Sequence, residues 1–163
     1  MAWTTPQTVV ADSTELTAAL WNEQVRDNLD VLGMILNTSS ASVATIQNTT
    51  STTYTDLATV GPSVTVDTGT EAIVIVSAFI DCQAANRDTY MSFAVSGATT
   101  ISASDSYAAR CIGITVRATE RVTRVNLLTG LTAGSNTFVA KYRSATGGNV
   151  QFDNRDLIVI TLP

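Results

Sequence analysis

From Tyr54 onward, apolar residues recur at every second position, in short runs separated by turn-forming residues. A period of two belongs to the pleated strand, whose successive side chains point to opposite faces; a helix at 3.6 residues per turn cannot use it. The runs predict strands at about 53–57, 63–67, 71–82, 88–96, 109–118, 120–129, 135–144 and 156–162. β-Branched residues dominate them. The gaps hold Gly61-Pro62, Thr68-Gly69, Ala85-Asn86, Ser96-Gly97, Gly130 and Gly147-Gly148-Asn149, the residue types that turns require. Eight short strands with no helix between them mean an antiparallel sandwich or barrel. The closing run Leu157-Ile158-Val159-Ile160-Thr161-Leu162 is apolar on both faces, which predicts a central strand covered on both sides.

The first third of the chain has a different character. Residues 1–12 contain Pro6 and no helical periodicity, and read as an extended arm. Residues 13–37 read as a helix, with Asp12 and Glu15 spaced as a capping box and Thr14 as an alternative cap. Its apolar seam is narrow: Val25, Leu29, Leu32 and Leu36 step by four, three and four, and Ala18 and Asn22 extend it backwards. Two apolar positions per heptad suit a helix facing copies of itself, with Asn22 setting the register. The competing reading lays the helix on its own head, with Leu16 and Leu20 widening the face. Residues 38–53 read as a Ser/Thr-rich linker, leaving 54–163 as the β head. Trp3 sits on an arm with no core of its own. It marks that arm as a docking segment, because aromatic anchors dominate interfaces; folding back onto Trp21 or the head is the alternative.

Charge and composition narrow the function classes. Nine basic against fourteen acidic residues give a net charge of −5, and no Lys/Arg run occurs, which argues against nucleic acid as a partner. Residues 1–55 hold five acids and one arginine, so the β head is close to neutral and Ser and Thr hydroxyls keep it hydrated. The chain has no histidine, which excludes Ser-His-Asp and Cys-His nucleophile systems and imidazole-based zinc sites. Its longest apolar stretch, Ala72 to Ile80, is nine residues, about half of what a membrane span needs. Arg26 is the first basic residue, so a secretory signal is not expected. Cys82 and Cys111 are expected as buried thiols rather than a disulfide.

Local clusters offer little chemistry. Asp81 and Asp88 flank an expected hairpin tip and read as solvated. Asp153-Asn154-Arg155-Asp156 has the oxygen ligands of a calcium site but not its glycine-bearing spacing, and reads as a turn. Ser104-Asp105-Ser106 has no base in reach and no Gly-x-Ser-x-Gly frame. Arg117, Arg121 and Arg124, with Glu120 among them, read as a solvated face with a local ion pair rather than an anion or partner contact. Tyr90 and Tyr107 are the candidates for an exposed sugar platform, with core or rim packing as the competing reading. No catalytic, cofactor-binding or metal-binding residue is assigned, and no cofactor is expected.

Two stretches carry a resemblance. Trp3, Pro6, Leu16-Thr17-Ala18, Asn22 and Val25-Arg26-Asp27-Asn28-Leu29 resemble the opening segment of small virion proteins of tailed bacteriophages, especially those of actinobacteria. Tyr90 to Thr99, Gly130 to Phe138 and Asn154 to Ile160 resemble the β-rich heads of phage fibre and decoration proteins, which are similar to the trimeric jelly rolls of tumour-necrosis-factor-like proteins. The resemblance implies a mainly β chain: a jelly-roll-like sandwich of about eight strands, preceded by an extended arm and one α-helix. It implies a non-enzymatic homotrimer on the virion surface, made in the host bacterial cytoplasm. Its expected partners are itself and the major capsid protein or another virion protein, with neither nucleic acid nor membrane. In that frame Trp3, Pro6, Val9 and Val10 anchor the arm to the virion, and Asn22, Val25, Leu29, Leu32 and Leu36 form the oligomer interface. The resemblance spans tail and capsid proteins alike, so a tail-associated fibre tip that binds a host receptor or glycan is the alternative.

Overall fold

A computed structural model describes residues 18–29, 38–83, 87–113 and 118–162. Among them the chain is mainly β and forms two antiparallel sheets packed face to face. The strands are β1 (Thr38–Val43), β2 (Gln47–Thr49), β3 (Ser63–Thr68), β4 (Glu71–Asp81), β5 (Thr89–Gly97), β6 (Ala109–Cys111), β7 (Thr119–Thr129), β8 (Gly134–Ser144) and β9 (Val150–Leu162). One sheet has the order β1-β9-β4-β7, with β2 also paired to β9; the other has the order β3-β8-β5-β6. This is the antiparallel sandwich that the alternation predicts.

The alternation also sets which side chains meet between the sheets. Ala72, Val74, Val76, Ala78 and Ile80 of β4 are wholly buried, and Phe93, Phe138, Ala140 and Tyr142 face them from the other sheet. Tyr142 of β8 meets Phe152 of β9 edge-on, with ring centroids 4.8 Å apart, so the two sheets are joined by aromatic contact. Burying each such ring contributes about 2–3 kcal/mol. At Gly61 a Cβ would lie 2.4 Å from the Tyr142 hydroxyl oxygen, so the chain passes the ring there only because the residue is glycine.

Several expectations are corrected. The Ser/Thr-rich stretch 38–53 is not a free linker: β1 and β2 both pair with β9, placing Ala41 opposite Leu157 on the core side. A threonine- and serine-rich strand suffices at a sheet edge, where the outward face meets water. Asp153-Asn154-Arg155-Asp156 is not a turn between strands but a bulge inside β9. Asn154 takes a φ of 44°, and the register against β4 shifts between Ser77 and Phe79. The extra residue swings Arg155 into the interior, where it is wholly buried. There its Nη2 donates to the Thr45 carbonyl at 3.0 Å and its guanidinium lies 5.5 Å from the Tyr142 ring centre. The expected strand 53–57 is reduced to a single bridge, Thr55 to Tyr142. The run 157–162 is central, between β1 and β4, but is covered on one side only: Leu157 and Val159 are buried while Ile158, Ile160 and Leu162 are half-buried.

The described part of the N-terminal helix is α1 (Ala18–Trp21), continued by a π-helical turn (Asn22–Arg26) and residues 27–29. Within the π turn the Asp27 N–H donates to the Asn22 carbonyl, five residues back. Of the expected seam, Asn22 and Val25 are half-buried and Leu29 is 59% exposed. Leu32 and Leu36, the capping residues Asp12 and Glu15, and the arm residues Trp3, Pro6, Val9 and Val10 lie outside the described residues.

Candidate functional site

Pairing of β5 with β8 sets Tyr90 opposite Arg143 and Ser92 opposite Lys141, and alternation turns all four to the outer face of their sheet. Residues 102–107 cross over that face. Ile101 bridges to Val95, the Ser92 hydroxyl donates to the Ser104 carbonyl at 2.8 Å, and a 3₁₀ turn at Asp105–Tyr107 brings Asp105 above β8. Between this strap and residues 52–54 lies an open depression of about 550 Å3, bordered by Tyr54, Ala94, Asp105, Lys141 and Arg143.

Its charged groups are paired with one another or with a neighbouring carboxylate. Arg143 Nε donates to Asp105 at 2.9 Å, and the Tyr54 hydroxyl donates to the same carboxylate oxygen at 2.8 Å. The Arg143 guanidinium holds the Asp105 carboxyl below the usual carboxylate range. Tyr54 is pushed upward, first by burial and then by Asp105. Lys141 is bound to both oxygens of Asp56 at 2.8 Å, and Arg110 pairs with Asp88. Each cation at the depression therefore has a carboxylate, leaving no spare charge aimed at a ligand.

The aromatic platform does not form. Tyr90 is 8% exposed: Arg143 stacks 4.1 Å above its ring centre and Arg110 lies 5.3 Å away. Tyr107 turns inward onto Phe93, with ring centroids 5.4 Å apart, and Asn126 Nδ2 donates to its carbonyl at 3.1 Å. Both follow the packing reading rather than the sugar-binding one.

The other clusters are placed as follows. Arg121 pairs with Asp156 across the sheet rather than with neighbouring Glu120, and its guanidinium lies 5.2 Å from the Phe79 ring centre. Arg124 reaches Asn126 and the Ser106 carbonyl, while Arg117 lies outside the described residues. Asp81 accepts from the Gln83 N–H at 2.8 Å, and Asp153 accepts from the Asn154 N–H at 2.7 Å, so both shape backbone. Among the described residues no three His, Cys, Asp or Glu side chains gather closely enough for a metal ion. Cys82 and Cys111 are free, buried thiols with their Sγ atoms 2.9 Å apart, one at the end of β4 and the other ending β6. Burial, reinforced by Cys82, pushes the Cys111 thiol far up.

The Tyr54–Asp105–Arg143 cluster was not legible in the sequence, because its members stand 38 and 51 positions from Asp105 and meet only through the β5–β8 pairing and the strap. No protein-family model matches this chain, and no curated protein matches it in sequence.

Proposed function

We propose that this chain is a non-enzymatic structural protein of a bacteriophage virion, a trimeric capsid decoration protein of the cement or head-fibre kind. Residues 1–12 bind the shell, the helix holds subunits together, and the β sandwich projects outward. Trimerisation makes the second and third arm dockings intramolecular, which multiplies a modest single contact into firm attachment. The resemblance of the N-terminal frame supports the virion role. The strand order supports a jelly roll. From β3 to β9 the chain passes repeatedly between sheets, with the last strand returning beside the first, as two interlocked Greek keys require.

The observation that favours decoration over receptor binding is the covering of Tyr90 by Arg143 and Arg110 and of Tyr107 by Phe93. A glycan-reading tip needs bare aromatic faces, and these two are spent on the fold. The reading in which the chain is a tail fibre tip draws on the depression beside Tyr54. Imaging of the purified particle decides between them. Copies at capsid threefold positions are expected; a few copies at the tail overturn the decoration role in favour of the fibre tip.

A further inference from the structure

The outer face of the β1-β9-β4-β7 sheet carries a block of aliphatic side chains that none of the described residues covers. The register aligns Thr38, Ile160, Ile73 and Leu127 in one rung and Ser40, Ile158, Ile75 and Val125 in the next. Each rung points away from the core: Val125 is 60% and Leu127 59% exposed, and Ile73, Ile75, Ile158 and Ile160 are half-buried. A sheet with one wet face should alternate apolar and polar residues along each strand. Here β4 and β9 are apolar on both sides across these rungs, the pattern of strands covered twice.

We infer that this face is where a second copy of the chain docks. Three observations select that occupant. First, the block contains no charge; the nearest outward charges are Glu71 at one end and the mutually paired Arg121 and Asp156 at the other. A charged partner would be desolvated against it without compensation, whereas an identical neutral block meets no repulsion. Secondly, β9, β4 and β7 over the eleven residues of β4, with the six residues of β1, at about 4.8 Å spacing and about 3.3 Å per residue, present roughly 600 Å2. That approaches the roughly 800 Å2 each partner gives a standard interface, with an apolar centre and polar rim. Thirdly, the described part of the chain's own helix, residues 18–29, does not supply the cover. Val125 and Leu127 stay exposed in its presence, and Trp21 and Leu29 of the helix are themselves 50% and 59% exposed.

This rests on the self-association in the proposed function and adds a contact between heads to that of the helix. The test is sedimentation of the full-length chain carrying Val125→Asp and Leu127→Asp. Both side chains are exposed in the subunit, so the circular dichroism spectrum should match the wild type. Val60→Asp, an exposed apolar site off this face, is the control. The wild type and the control are expected to sediment as oligomers. The double variant should dissociate at concentrations at least a hundredfold higher. An unchanged oligomer in the double variant overturns the inference and leaves the helix as the contact, with the virion role intact. A monomeric wild type overturns both the inference and the trimer. A dimer lost in the double variant keeps this inference and removes the trimer, because a two-fold face-to-face contact closes at two subunits. An oligomer that fails to appear on particles removes the virion role alone.

Discussion

Tyr142 shows how much a single side chain is committed to the interior. Its ring is wholly buried against Phe152, and burial pushes its hydroxyl up to about 12, with the Arg155 charge pulling in the opposite direction. An unfolded tyrosine ionises near 10, so the folded state holds its proton where the unfolded state has lost it. The stabilising contribution is complete below about pH 10 and is lost as pH rises towards 12, on the order of 2 kcal/mol in total. The stability difference between the wild type and Tyr142→Phe, measured by urea unfolding, should be constant up to about pH 9 and then move in favour of the variant. A difference that stays flat to pH 12 refutes the assignment. Cys82 and Cys111 make a second residue-scale prediction. Both thiols are buried and Cys111 is held protonated, so iodoacetamide at pH 8 should label neither in the native protein and both after denaturation. Rapid native labelling would mean that the ends of β4 and β6 open.

Among the elements, β9 is where sequence and structure diverge most instructively. Its apolar second half reads clearly as a strand, whereas Asp153-Asn154 reads as a turn because Asp and Asn tolerate left-handed backbone. The residue preference was real: Asn154 does adopt positive φ. Whether a left-handed residue ends a strand or bulges it depends on the neighbouring strand, and β4 continues pairing past the irregularity. Likewise β1 has no apolar run to announce it; its pairing with β9 supplies what its own side chains do not. The helix is the element whose role in assembly is most open to test. Leu29→Asp together with Leu32→Asp should weaken the oligomer at least tenfold while leaving helix content unchanged, because the seam would bury unpaired charge. If the helix has no partner, an exposed Leu29 tolerates aspartate and sedimentation does not change.

For the whole molecule, arm, helix and head divide labour only if each can be removed without unfolding the others. Deleting residues 1–12 is expected to leave a folded oligomer of wild-type sedimentation that no longer enters particles. Retained incorporation would remove the proposed anchor. The head's surface fits this division. Arg143–Asp105, Lys141–Asp56, Arg110–Asp88 and Arg121–Asp156 neutralise one another within the subunit. Exposed pairs of this kind contribute little to stability. Their effect is to leave the outer faces nearly without net charge, so association is left to apolar contact.

The sequence alone determined the fold class and most strand positions, because a period of two is a local property that any pleated segment must show. In β8, where Phe138, Ala140 and Tyr142 alternate with Val139, Lys141 and Arg143, it also marked a half-buried strand, whereas β4 is apolar on both faces and its core side was not legible. Tertiary structure alone decided that Arg155 is buried, that Tyr54 and Arg143 share Asp105, and that six aliphatic side chains from three strands form one open face. Each of these depends on the register between strands far apart in the chain. That register is set by how two sheets close over a common interior, a quantity no single segment carries.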